Sequence, residues 1–186
     1  MSRGQDRILW YIGAFFLLAV GMLAMRLWGG GAASPEDAAM VGEPAPVFSL
    51  PIVAGEGADD GERVSLEALR GEVVVLDFWA SWCRPCQYSV PVMNRVHERY
   101  GDRAHVYGLN VEENASLGVV REGYRQFQMG FPSLRDEGGV AQSGYAVTSI
   151  PTVVIVGRDG AVHWVHRGVP DEDELAEQIE GALTRD

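Results

Sequence analysis

The sequence predicts an α/β domain with helices layered on a central sheet, and two observations carry the prediction. Short apolar runs alternate with longer segments whose apolar residues recur at helical spacing. The run Val73-Val74-Val75-Leu76-Asp77-Phe78 is almost continuously apolar and mostly β-branched, as a central strand buried on both faces requires. A third observation narrows the alternatives. Of the 186 residues, 47% are hydrophobic, enough for a sizeable core, whereas 2 cysteines cannot staple a disulfide scaffold.

The elements follow in order. Residues 1–28 are read as a signal anchor, 29–41 as a flexible tether and 42–186 as the α/β domain. Ile8 to Met25 is uncharged and lies between Arg7 and Arg26. Roughly 18 residues rising about 1.5 Å each span about 27 Å, close to the thickness of a bilayer core. That is longer than the about 7–15 apolar residues of a cleaved signal, although Gly31-Ala32-Ala33 keeps cleavage open as an alternative. Arg3 and Arg7 before the span leave the N-terminus in the cytoplasm and the rest of the chain outside. In a bacterium that side is the periplasm or the outer face of the membrane, where disulfides persist.

Ala54 to Gly61 reads as an exposed loop, rich in glycine and acids. Val73–Phe78 is the first clear strand. Pro85–Tyr100 is a helix with Met93, Val96 and Tyr100 on its apolar face, kinked at Pro91, which lacks a backbone donor. Ala104–Val111 is a strand, Leu117–Met129 a helix, Phe131–Arg135 a short extended piece and Val140–Tyr145 a short helix. Thr152–Val156 and Ala161–Val165 form a hairpin around Gly157-Arg158-Asp159-Gly160. Asp171–Leu183 closes the chain as a helix with an acidic first turn, which the helix dipole favours.

The net charge is −11, and every basic residue is an arginine. That balance argues against a nucleic-acid footprint; solubility alone explains it, with a preference for basic or neutral partners as the alternative. The two cysteines stand as Cys83-Arg84-Pro85-Cys86, at the junction of the apolar strand and the following helix. A three-residue spacing cross-links almost no chain, so a staple is a poor use of the pair. At a helix start, exposed amides and the Arg84 charge favour a thiolate on Cys83. With no other cysteine in the chain, thiol chemistry has to be done on a partner.

At this point the residues carry a specific resemblance. Val75 to Cys86, with Asp77, Trp79, Trp82 and the two cysteines in place, resembles the active-site stretch of thioredoxins. Pro91 matches their helix-kinking proline, Ile150-Pro151-Thr152 their cis-proline loop, and Gly168 a glycine after their last strand. Gly42 to Phe48 and the extra segment near Asn114–Arg135 are similar to the membrane-anchored TlpA/ResA-like branch. The resemblance covers about residues 41–183 and implies a thioredoxin-like three-layer sandwich with a central mixed sheet.

It also implies a function, that of a protein thiol-disulfide oxidoreductase working outside the membrane, most simply as a reductant. Cys83 is then the nucleophile and Cys86 the resolving thiol, with Asp77 shuttling the proton for Cys86. Asp77 stands on an otherwise apolar strand, where burial should raise its pKa. Trp82, Arg84, Pro85, Ile150 and Pro151 would form the surface that binds a partner strand, Pro151 in the cis form. Plain core packing is the alternative for Trp82. The implied clients are apocytochrome c haem-site cysteines or copper-site assembly proteins, and the implied electron source is a membrane thiol donor of the CcdA/DsbD type. No cofactor or metal is expected beyond the redox-active cysteine pair.

Two departures from the pattern stand out. The lysine that neighbours the buried aspartate in thioredoxins would fall near Gly108, and this chain has no lysine. The glutamate that the ResA-like branch often carries three residues after its second cysteine is Ser89 here. Two rival functions remain at this stage, a disulfide oxidase running the same chemistry backwards and a Cu(I) delivery protein using both cysteines as soft ligands. His97, His105, His163 and His166 show no metal-ligand spacing with a cysteine and read as surface or edge residues.

Overall fold

A computed structural model describes residues 35–58 and 61–185. The apolar span 8–25 lies outside the described residues. Among the described residues, no helix is long and apolar enough to cross a membrane.

The elements are α1 (Pro35–Met40), β1 (Ser49–Ala54), β2 (Arg63–Ser65), β3 (Val73–Trp79), α2 (Cys86–Tyr100), β4 (Ala104–Asn110), α3 (Leu117–Gln126), β5 (Ser133–Arg135), α4 (Val140–Gly144), β6 (Thr152–Val156), β7 (Val162–Arg167) and α5 (Glu172–Thr184). Seven strands form one sheet in the order β2-β1-β5-β4-β3-β6-β7. The β3–β4 and β4–β5 pairs are parallel and the others antiparallel, so the sheet is mixed.

β3 is an interior strand between β4 and β6, and every one of its residues is buried. Its alternation divides the core in two. Val73, Val75 and Trp79 face one apolar cluster with α2, α3 and α5, while Val74, Leu76 and Phe78 face another with α4 and the N-terminal strands. Asp77 has the parity of the first group, so it points to the face that α2 covers. α2 presents Cys86, Ser89, Val90, Met93, Val96 and Tyr100 to that face at three- and four-residue spacing.

Two strands escape the sequence reading. β1 contains Pro51, which argues against a strand, and β2 has three residues, too few for any period to show. β2 is the edge strand, and β1 lies just inside it, between β2 and β5, with Pro51 in the half that pairs with β2. Helix α3 stops at Gln126, three residues before the predicted end at Met129. Gln128 has φ 56, a left-handed conformation that no helix continues through.

α1 occupies 35–40, inside the stretch whose composition suggests a flexible tether. Tertiary contacts override composition there. Asp37 is buried, and the Arg167 guanidinium of β7 donates to both of its carboxyl oxygens, at 2.8 and 3.1 Å from Nε.

Candidate active site

Ala80 to Pro85 links the buried end of β3 to α2, and the turn is closed by backbone bonds. Cys83 N–H donates to the Ala80 carbonyl at 3.0 Å and Cys86 N–H to the Cys83 carbonyl at 3.1 Å. The pair therefore opens the helix, where amides lack intrahelical acceptors. Cys83 and Cys86 are joined as a disulfide. The Cys86 amide also donates to the Cys83 sulfur at 3.2 Å, which favours negative charge on that atom once the bond is reduced. Cys83 is 2% exposed and Cys86 fully buried.

Around this pair the predicted contact residues divide by exposure. Trp82 is 70% exposed, which removes core packing as its role, and Arg84 and Pro85 are exposed beside it. Ile150 is half-buried and Pro151 buried, and the bond between them is cis. The Pro151 carbonyl accepts from the Gly168 amide at 2.8 Å. Gly168 has φ 101, a conformation that a side chain would strain. Ser89 is buried, and its hydroxyl donates to the Cys86 carbonyl at 3.0 Å.

Asp77 is fully buried, and neither of its carboxyl oxygens has a hydrogen-bond partner among the described residues. Desolvation pushes its pKa from 3.8 up to about 8. Its neighbours across the sheet are Gly108 on β4 and Val153 on β6. A side chain at Gly108 would crowd its neighbours, because a Cβ there would lie 2.9 Å from Met129 Cε and 3.0 Å from Trp79 Nε1. The indole holds that position by donating to Ser133 Oγ at 3.0 Å. The lysine that the thioredoxin pattern would bring beside the aspartate is thus replaced by packed apolar and indole atoms.

The structure also places at the site one group that the sequence reading passes over. Glu112 lies just past the end of β4, which runs parallel to β3 with Asn110 opposite Trp79. That register sets Glu112 against the cysteine loop. Its Oε2 accepts from the Ser81 amide at 2.7 Å and its Oε1 from the Ser81 hydroxyl at 2.8 Å. The available signal was the acidic pair after a strand parallel to the active-site strand, since groups at the carboxyl ends of adjacent parallel strands converge.

No set of three or more His, Cys, Asp or Glu residues could hold a metal ion among the described residues.

The sequence profile of the AhpC/TSA family matches residues 41–165, which contain the whole strand–dithiol–helix unit and the cis-proline. The chain belongs to the AhpC/TSA family. Its relatives within and around that family carry redox names. Thioredoxin-like protein YneN of Bacillus subtilis is 29% identical over 172 residues, covering 92% of this chain and 96% of its own. Thiol-disulfide oxidoreductase ResA of Bacillus cereus is 26% identical over 176 residues, covering 94% and 96%. A crystal structure of a putative thiol:disulfide interchange protein DsbE from Chlorobium tepidum superposes with a TM-score of 0.67 at 34% identity, covering 77% of this chain and 97% of that one. This AhpC/TSA member has a thioredoxin-like fold and is a thiol-disulfide oxidoreductase of the ResA/DsbE type.

Proposed function

We propose that this oxidoreductase is a reductant of client protein disulfides, tethered to the outer side of a bacterial cytoplasmic membrane by residues 1–28. The tether rests on the Ile8–Met25 span and the arginines before it. The single observation that carries the reductant reading is Asp77, a buried carboxyl with no hydrogen-bond partner among the described residues, on the sheet face covered by the helix that starts at Cys86.

Catalysis begins with the reduced pair. The Cys83 thiolate attacks one sulfur of the client disulfide, forming a mixed disulfide and releasing the other client sulfur as a thiolate. Cys86 then loses its proton to Asp77 and attacks the Cys83 sulfur. The Cys83–Cys86 disulfide forms, the second client thiolate leaves, and two electrons have passed to the client. With a pKa of about 8, Asp77 is about one-tenth ionised at neutral pH, close enough to balance to accept the proton and later return it. Trp82, Arg84 and Pro85 together with Ile150-Pro151 receive the client segment, the Ile150 backbone pairing with it as an added strand. The client class is apocytochrome c with its haem-site cysteines, or a copper-site assembly protein. A membrane thiol donor of the CcdA/DsbD type returns the electrons.

The reduction potential tests the direction. A value of about −270 mV supports a reductant, and one of about −120 mV, typical of strong oxidants, refutes it. The division of roles is tested by trapping. Cys86→Ser accumulates a mixed disulfide with the client and Cys83→Ser accumulates none; the opposite result reverses the assignment.

A further inference from the structure

The carboxylate of Glu112 is 9% exposed by residue and takes three hydrogen bonds, two from Ser81 and one from Asn110 Nδ2 at 2.8 Å. Asn110 is itself held. Its Oδ1 accepts from Arg135 Nη1 at 3.3 Å, while Arg135 Nη2 donates to the carbonyls of Glu113 at 3.0 Å and Ala115 at 2.9 Å. No ion pair reaches Glu112 among the described residues, and the Arg135 guanidinium is linked to it through Asn110.

Ser81 is fixed from its other side as well. A Cβ on Gly123 of α3 would lie 2.5 Å from Ser81 Cβ and 3.0 Å from its Cα, so α3 touches Ser81 with only a glycine between. Ser81 is two residues from Cys83 across a closed turn. The chain can extend no more than about 7 Å over that distance, so the Glu112 charge lies on the order of 10 Å from the Cys83 sulfur. A buried or half-buried charge at that range is only weakly screened.

We propose that Glu112 is a positioning residue for the cysteine loop and that its negative charge biases the pair toward the disulfide. A fixed negative charge disfavours the Cys83 thiolate, hence the reduced form, and makes the reduced protein a stronger electron donor. The inference deepens the reductant reading and rests on it for its use, but the charge effect itself is a difference between two variants. A wild-type potential in the oxidising range would end the reductant role and leave that difference readable.

Glu112→Gln isolates the charge. The amide oxygen accepts from the Ser81 amide and from Asn110, and the amide N–H donates to the Ser81 hydroxyl, which turns to accept, so all three contacts survive. The oxidised fraction of the full-length protein is measured at pH 8 across glutathione mixtures, in which dithiol plus oxidised glutathione gives disulfide plus two reduced glutathiones. The expected result is a fall of threefold or more in that equilibrium constant for Glu112→Gln, a rise in potential of about 14 mV or more. Glu112→Asp, which keeps the charge, stays within threefold of wild type. A shift below threefold in Glu112→Gln, a shift of opposite sign, or an equal fall in Glu112→Asp overturns the proposal.

Discussion

Replacing Asp77 by asparagine removes an ionisable group and almost nothing else, which makes the buried carboxyl measurable. In the folded protein Asp77 is held neutral up to about pH 8, whereas in the unfolded chain it ionises near 3.8. Between those values the folded state holds one more proton than the unfolded state. Stability therefore falls as pH rises through that window, at about 1.4 kcal/mol per pH unit from this group alone. Over the whole window the loss is on the order of 5 kcal/mol, comparable with the entire stability of many domains. Above the folded pKa no further loss occurs, because both states are ionised.

Asp77→Asn abolishes that slope. Burying an amide in the same place adds an offset of its own, but the offset does not vary with pH. His163, whose pKa is lowered chiefly by burial, contributes a slope of opposite sign in part of the range, and it cancels when variant is compared with wild type. The assay is urea unfolding of the oxidised proteins at pH 5 and pH 7, with the disulfide intact so that neither cysteine titrates. The wild type should lose about 2.7 kcal/mol more than Asp77→Asn over that interval. Parallel dependences for the two proteins would refute the reasoning and remove Asp77 as the acid–base group for Cys86.

Three further predictions follow from the packing. Gly123→Ala drives a methyl group into Ser81 and should cost about 1–3 kcal/mol with slower client reduction, checked by urea midpoints and a disulfide-reduction assay. Trp82→Ala, at a side chain left 70% exposed, should change stability by no more than about 0.5 kcal/mol while lowering kcat/KM for a protein client. Asp37→Asn weakens a pair whose side chains are 4% and 18% exposed, Asp37 being the more buried, and should lower stability by about 3 kcal/mol, read as a shift in the unfolding midpoint.

The central half of the molecule was legible because its signals are local. The β-branched run of β3, the helical spacing of α2, and the glycine-rich turn between β6 and β7 each state their structure within a dozen residues. What stayed hidden depends on contacts distant in sequence. Whether 35–40 is tether or helix is decided by Arg167, 130 residues away. β1 and β2 are strands because each pairs with the other and β1 with β5, and nothing in Ser-Leu-Pro-Ile-Val-Ala announces that partner. Glu112 looked like one solvated acid among many, because only the parallel register of β3 with β4 carries it to Ser81.

The same register bears on the missing lysine. A cation beside Asp77 would stabilise its ionised form and pull its pKa down. Here the position opposite Asp77 is Gly108, and the space a side chain would use is filled by Trp79 and Met129, with Trp79 Nε1 bound to Ser133. Only desolvation then acts on the carboxyl, and it acts upward. In the proposed cycle the charge has moved to Glu112, an acid at the rim of the loop with both oxygens hydrogen-bonded, while the inner acid is left without partners. The two carboxyls then divide the work by environment: the hydrogen-bonded one holds a fixed charge that sets the balance of the dithiol, and the one without partners exchanges a proton with Cys86. At about pH 6, where Asp77 stays protonated, a site built this way should lose proton transfer without a change in potential when Asp77 is replaced, and change potential without losing proton transfer when Glu112 is replaced.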